Sequence, residues 1–97
     1  MIYSPGAQRQ IIDLQRHYSA LRRPEALRNL DRALREAEQR IERNPLGGLP
    51  APRPYPDLTR PGRRWVKAGP YWIAYSTTDP AVILAVFYET ANIPGRL

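Results

Sequence analysis

The chain contains no cysteine, so neither disulfides nor thiolate metal sites can brace it, and its composition fits a reducing cytoplasm. It has one histidine, His17. That is no His/Cys/Asp cluster at metal-ligand spacing, and a lone helical histidine is expected at a boundary or on the surface, not as a catalytic base. Gly47-Gly48 lacks the lysine and the following helix of a phosphate-cradling loop. Ser4, Ser19 and Ser76 have no general base nearby in the sequence. No cofactor and no metal is expected. The longest apolar run, Ala81 to Tyr88, has eight residues, far short of the ~20 that span a bilayer. No basic stretch leads into an apolar one after Met1, so neither a signal peptide nor a membrane partner is expected. Acid is scarce as well: 9 Asp and Glu stand against 15 Lys and Arg, for a net charge of +6. Lys67 is the only lysine, so the positive charge is nearly all arginine, which suits bidentate contacts to phosphate or carboxylate. A nucleic acid or an acidic protein segment is the partner this implies.

What remains reads as one small domain of 97 residues, 42% apolar, with a modest core. Ile2 and Tyr3 form the stub of a strand (1–3). Ser4-Pro5 is a helix start, because the serine oxygen accepts from free N–H groups and proline fits the first turn. Ala7, Ile11, Leu14, Tyr18 and Leu21 recur at spacings of four and three, placing one apolar face on a helix over 5–22. Pro24 opens a second helix over 24–43, whose apolar face is Leu27, Leu30, Leu34, Ala37 and Ile41. Glu36 and Arg40 are spaced to pair along it. Asn44-Pro45 ends it. The two helices form a hairpin.

Residues 46–61, LGGLPAPRPYPDLTRP, are a proline-rich connector, which excludes helix and central strand. It reads as a stiff link across the sheet edge, with a docking motif for an aromatic groove as the other possibility. Residues 62–88 read as three antiparallel strands turned at AGP and TTDP, and 89–97 as a tail. The fold class is therefore α+β, with the helical hairpin on one sheet face and the other face open.

The densest charge lies at the start of this sheet: Arg60, Arg63, Arg64 and Lys67, with no acid between Asp57 and Asp79. Alternation places Arg63, Trp65 and Lys67 on one side and Arg64 and Val66 on the other. Cations interleaved with an indole suit a nucleic-acid strand. They equally suit an edge strand that discourages edge pairing, with Trp65 in the core. The spacing leaves both readings open.

Taken in order, four stretches resemble the ParE/RelE superfamily of bacterial toxin–antitoxin systems. They are the opening YSPGAQRQIIDL, the helix end IERNPLGGLP, the basic strand, turn and aromatic strand GRRWVKAGPYWIAY, and the last strand and tail AVILAVFYETANIP. The resemblance covers nearly the whole chain. It implies a cytoplasmic toxin that arrests growth, with a cognate antitoxin as partner in a hetero-oligomer. RelE-like members cleave mRNA at the ribosome, whereas ParE-like members act on DNA gyrase without a nuclease site. Tyr88 stands where many ParE-like members have His, and Thr90 where both branches often have Arg. This pattern is degraded for a nuclease and leans to the ParE side. The resemblance implies Arg60, Arg63, Arg64, Lys67 and Arg96 as target-binding residues, and Arg64, Lys67 and Tyr88 as the catalytic set of an mRNA endonuclease should the chain be one. The antitoxin segment is expected in an apolar groove between hairpin and sheet, with Trp65, Tyr71 and Trp72 as candidate lining. An inactive antitoxin-binding module is the third reading.

Overall fold

A computed structural model describes residues 1–97. The elements run β1 (Ile2–Tyr3), α1 (Pro5–Ala20), α2 (Pro24–Arg43), β2 (Arg63–Ala68), β3 (Tyr71–Ser76) and β4 (Val82–Tyr88), with single 3-10 turns at Pro56–Leu58 and Pro94–Arg96. The strands form one sheet in the order β1-β4-β3-β2. The β2–β3 and β3–β4 pairs are antiparallel, and β1 joins β4 in parallel. The α+β class, the helical hairpin and the mainly antiparallel sheet are as expected from the sequence.

Ser4 joins β1 to α1. Its hydroxyl accepts from the Ala7 N–H at 3.1 Å and donates to the Leu84 carbonyl at 3.2 Å, while its own N–H reaches the Ile83 carbonyl at 2.9 Å. One residue thus caps the helix and anchors the strand stub to the sheet. Helix α1 ends at Ala20, two residues short of the expected boundary, because Arg22 turns into the left-handed region at φ 53°. Leu21 consequently leaves the apolar face and is 53% exposed. The expected Glu36–Arg40 pair does not form. Instead Arg40 donates to the Lys67 carbonyl at 2.6 Å, tying α2 to β2, and the ion pair on this helix is Asp31–Arg35 at 3.0 Å. The β2–β3 hairpin closes through Gly69-Pro70, with Gly69 at φ 53°, the positive φ that a two-residue hairpin loop demands.

The helices cover one face of the sheet. Leu30, Ala33, Ala37 and Ile41 of α2 and Ala7 and Tyr18 of α1 bury themselves against Val66, Ala68, Tyr71, Ile73, Tyr75, Ile83 and Val86. The opposite face is not open, and this corrects the sequence reading. Trp65, Trp72, Ala74, Ala85 and Phe87 make a second core there with Ile93 of the tail, and Leu49, Tyr55 and Leu58 of the connector close over it. The connector also pairs: Leu49 and Trp65 exchange two backbone hydrogen bonds of 2.7 Å each. Only Leu49 pairs along the outer edge of β2; beyond it the connector turns, with the Tyr55 N–H on the Pro52 carbonyl at 2.9 Å, and winds through the 3-10 turn at Pro56–Leu58. In β4 the register slips between Ala74 and Tyr75 of its partner, so Leu84 and the neighbouring Ala85 both face the second core. That bulge reconciles an apolar run on both faces with two separate cores.

Three phenols sit within or against the first core. Burial raises the pKa of Tyr71, helped by the Tyr18 hydroxyl that shares a 2.6 Å hydrogen bond with it. Burial also raises Tyr75, and it raises Tyr3 together with the neighbouring Glu38 carboxylate. The folded chain therefore holds these protons above the ordinary phenol value of 10.0, where the unfolded chain releases them. Their contribution is complete below that pH and is lost as pH rises through and beyond it. Urea denaturation should show a midpoint that declines above about pH 10, less steeply in Tyr71→Phe than in the parent chain.

Candidate functional site

The basic residues singled out in the sequence do not form one patch. Arg60 and Arg63 lie at the two ends of a tight turn closed by a backbone hydrogen bond from Arg63 to the Arg60 carbonyl, 3.3 Å. Pro61 and Gly62 occupy its centre, with Gly62 at φ 72°, the pattern of a type II turn. Arg64 follows and donates to the Gly48 carbonyl at 3.0 Å. These three arginines border one cleft of about 350 Å³, with Thr59 and Thr77 on its wall. Lys67 lies further along β2 on the face opposite Arg64, paired with Glu89 at 2.9 Å and 5.6 Å from the centre of the Trp72 ring. Arg96, on the last 3-10 turn, stands 5.6 Å from the Phe87 ring centre.

A cation that sequence reasoning passed over joins this face. Arg53, inside the proline-rich connector, lies 5.5 Å from the centre of the Trp72 ring. Nothing in the connector's own pattern signals this. It follows only once the segment is folded over the sheet.

The aromatic residues proposed for an antitoxin groove are core residues. Trp65 is 0%, Tyr71 1% and Trp72 4% exposed. Tyr71 belongs to the helix-side core, whereas Trp65 and Trp72 belong to the opposite one. Of the two readings left open for β2, burial selects the charged edge strand. Trp65 has no free ring face to offer a base, and Arg63 lies 5.4 Å from its ring centre.

The three residues expected of a nuclease are dispersed. Arg64 opposes Tyr75 across β2–β3, and Tyr88 opposes Tyr71 across β3–β4. Those two β3 positions are four steps apart, about 13 Å along a strand. Lys67 projects from the other face. Tyr88 is 40% exposed and meets Tyr71 edge-on at 5.7 Å. It borders a cleft of about 400 Å³ together with His17, Tyr18, Arg23 and Glu25, where the exposed His17 is as expected from its position on α1. No group of three or more His, Cys, Asp or Glu side chains is arranged to hold a metal ion. No helix is long and apolar enough to cross a membrane.

The chain matches the family model described as the ParE toxin of the type II toxin–antitoxin system, parDE, over residues 1–91. This protein belongs to the ParE toxin family. It is thus a toxin of a type II toxin–antitoxin system, a class whose partner is a protein antitoxin. No curated protein matches the chain. The family match spans both clefts described above and every strand of the sheet, stopping within the tail before Arg96.

The toxin holds Arg64 in place with a small network. The Gly48 N–H donates to the Tyr75 hydroxyl at 3.1 Å, and that hydroxyl donates to the Pro45 carbonyl at 2.7 Å. A Cβ on Gly48 would lie 2.5 Å from the Tyr75 hydroxyl oxygen and 3.0 Å from the Arg64 Cβ, both held by packing. A Cβ on Gly47 would instead meet the amide of exposed Asn44, which can swing away. Gly48→Ala should therefore destabilise the fold by about 1–3 kcal/mol through overpacking and a broken hydrogen bond, and Gly47→Ala by clearly less. Chemical denaturation of the two variants side by side checks this.

Proposed function

We propose that this toxin arrests growth by acting on DNA gyrase as a binding protein, without a nuclease site, and that a cognate antitoxin holds it in check. Family membership supplies the class. The observation that carries the choice of target over mRNA cleavage is the dispersal of Arg64, Lys67 and Tyr88. Cleavage at a 2′-hydroxyl needs charge stabilisation and proton transfer at one phosphodiester. Here Arg64 and Tyr88 lie at opposite ends of one sheet face, Lys67 is on the other, and Glu89 already occupies the lysine.

The antitoxin surface follows from what is accessible. Alanine at a buried tryptophan costs about 3–5 kcal/mol, so truncating Trp65 or Trp72 would disrupt the fold before it reported on docking. A cluster of exposed apolar residues lies instead beside β1. Ile2 is 50% and Leu46 65% exposed, and both line a cleft of about 700 Å³ between the C-terminal end of α2 and the β3–β4 turn. We place apolar anchors of the antitoxin there.

Induced expression in a bacterial host tests the reading, with plasmid supercoiling, DNA breaks and transcript integrity followed separately. The expected result is growth arrest with cleaved gyrase–DNA complexes and intact mRNA, retained in Tyr88→Phe. Cut transcripts with normal DNA, abolished by Tyr88→Phe, would establish the ribosome-dependent endonuclease instead. Growth without arrest would point to the inactive antitoxin-binding module.

A further inference from the structure

The cleft beside the β2 turn is bordered by three arginines and no acid: the Arg63 and Arg64 guanidiniums turn to opposite sheet faces, bonded to the Leu58 and Gly48 carbonyls, and the exposed Arg60 guanidinium is bonded to nothing in the protein. Its wall contains Arg60, Arg63, Arg64, Thr59 and Thr77, and no Asp or Glu. The local sequence builds it directly. Arg-Pro-Gly-Arg folds into a type II turn, with proline pre-set at the second position and glycine supplying the positive φ at the third. That turn holds the first and last arginines within one hydrogen-bonded loop, and the next residue in the strand adds a third.

The arrangement is electrostatically unrelieved. Arg63 is half-buried, its guanidinium bonded to the Leu58 carbonyl, while its Nε finds no acceptor in the protein. Burial and the neighbouring Arg60 charge both lower its pKa, and no carboxylate opposes them. Two other cations have acid partners, Lys67 with Glu89 and Arg35 with Asp31. An anion at the turn would relieve the Arg60–Arg63 repulsion and give the free Arg60 donor fork the tetrahedral oxyanion that it matches.

We propose that the Arg60–Arg63–Arg64 cleft is a phosphate site that grips the backbone of a DNA strand. Its volume suits one phosphate with its sugar, a contact that positions the strand without reading bases. The polymer is favoured over a free phosphate by what continues from the cleft. Arg63 projects to the sheet face where Arg53 and Arg96 stand over Trp72 and Phe87, so further cations border the same side of the molecule. The choice of DNA over RNA rests on the gyrase reading above; the site itself does not.

The test uses purified full-length toxin without gyrase, so that failure here and failure of the gyrase reading are separable. Fluorescence anisotropy is measured with a fluorescein-labelled 20-base-pair duplex over a salt series. Arg60→Gln is the principal variant, because Arg60 is exposed and its side chain bonds nothing in the protein. Arg28→Gln removes the same charge from the exposed side of α2 and serves as control. The expected result is about fivefold weaker binding for Arg60→Gln, with the log–log salt slope reduced by about one, and binding by Arg28→Gln within about twofold of the parent. Pyrophosphate should compete for the site, and Arg60→Lys should retain more affinity than Arg60→Gln. Equal losses in Arg60→Gln and Arg28→Gln would overturn the proposal in favour of unspecific charge attraction. Arg60-dependent binding of pyrophosphate without binding of the duplex would make it a site for a free phosphate compound. Displacement by an oligoglutamate peptide at lower concentration than by pyrophosphate would make it a carboxylate site on a protein interface. An RNA duplex of the same sequence binding more tightly than DNA would reject the choice of polymer.

Discussion

Trp65 has no exposed surface, although it lies on an edge strand and on the sheet face that no helix covers. An indole in that position must be sheltered by something irregular, and the rest of the chain is arranged to do it. The connector pairs through Leu49 with the backbone of Trp65 itself, Phe87 lies 6.4 Å away ring to ring, and Ile93 of the tail is drawn into the same cluster. The eleven prolines of the chain, many of them in this connector, become intelligible in that light. A segment that must turn repeatedly over a sheet without joining it fully benefits from prolines, whose fixed φ leaves less entropy to lose on docking. Trp65 leaves its indole N–H without an acceptor, a cost of about 1–3 kcal/mol that its buried area has to exceed.

With both sheet faces buried, the accessible surface moves to the rim. Cations stand over aromatic rings with their charged heads outward, so the second core is apolar within and basic without. Three of the exposed large apolar residues, Met1, Ile2 and Leu46, gather around β1 and the end of α2. Two separate surfaces, one basic and one apolar, meet at Leu46 and Thr77.

Much of this was legible in the sequence. The Ser4-Pro5 cap, both amphipathic helices, the Ala68–Tyr71 hairpin and the alternation of β2 follow from local rules, since caps, periodicity and turn residues act within a few positions. Trp65 shows where such rules stop. Alternation correctly placed it beside Arg63 and Lys67, but whether that face was open or buried depended on prolines and a tail with no periodicity of their own. The bulge at Leu84 was hidden for a related reason: a strand apolar on both faces shows no break in pattern when it gains a residue. The basic cluster was visible as composition, yet its division was not. Only the Arg60–Arg63 turn and the bond from Arg64 to Gly48 separate a three-arginine cleft from a lysine already matched to Glu89.

The burial of the second sheet face is the claim on which the placement of every surface depends. Acrylamide quenching of tryptophan fluorescence in the intact toxin tests it most directly, because both tryptophans lie on that face and the quencher carries no charge to be drawn to the arginines. The account predicts blue-shifted emission and quenching well below that of free indole for Trp65 and Trp72 alike. Red-shifted emission with quenching close to free indole for either residue would contradict it, and would restore an open aromatic face to the sheet.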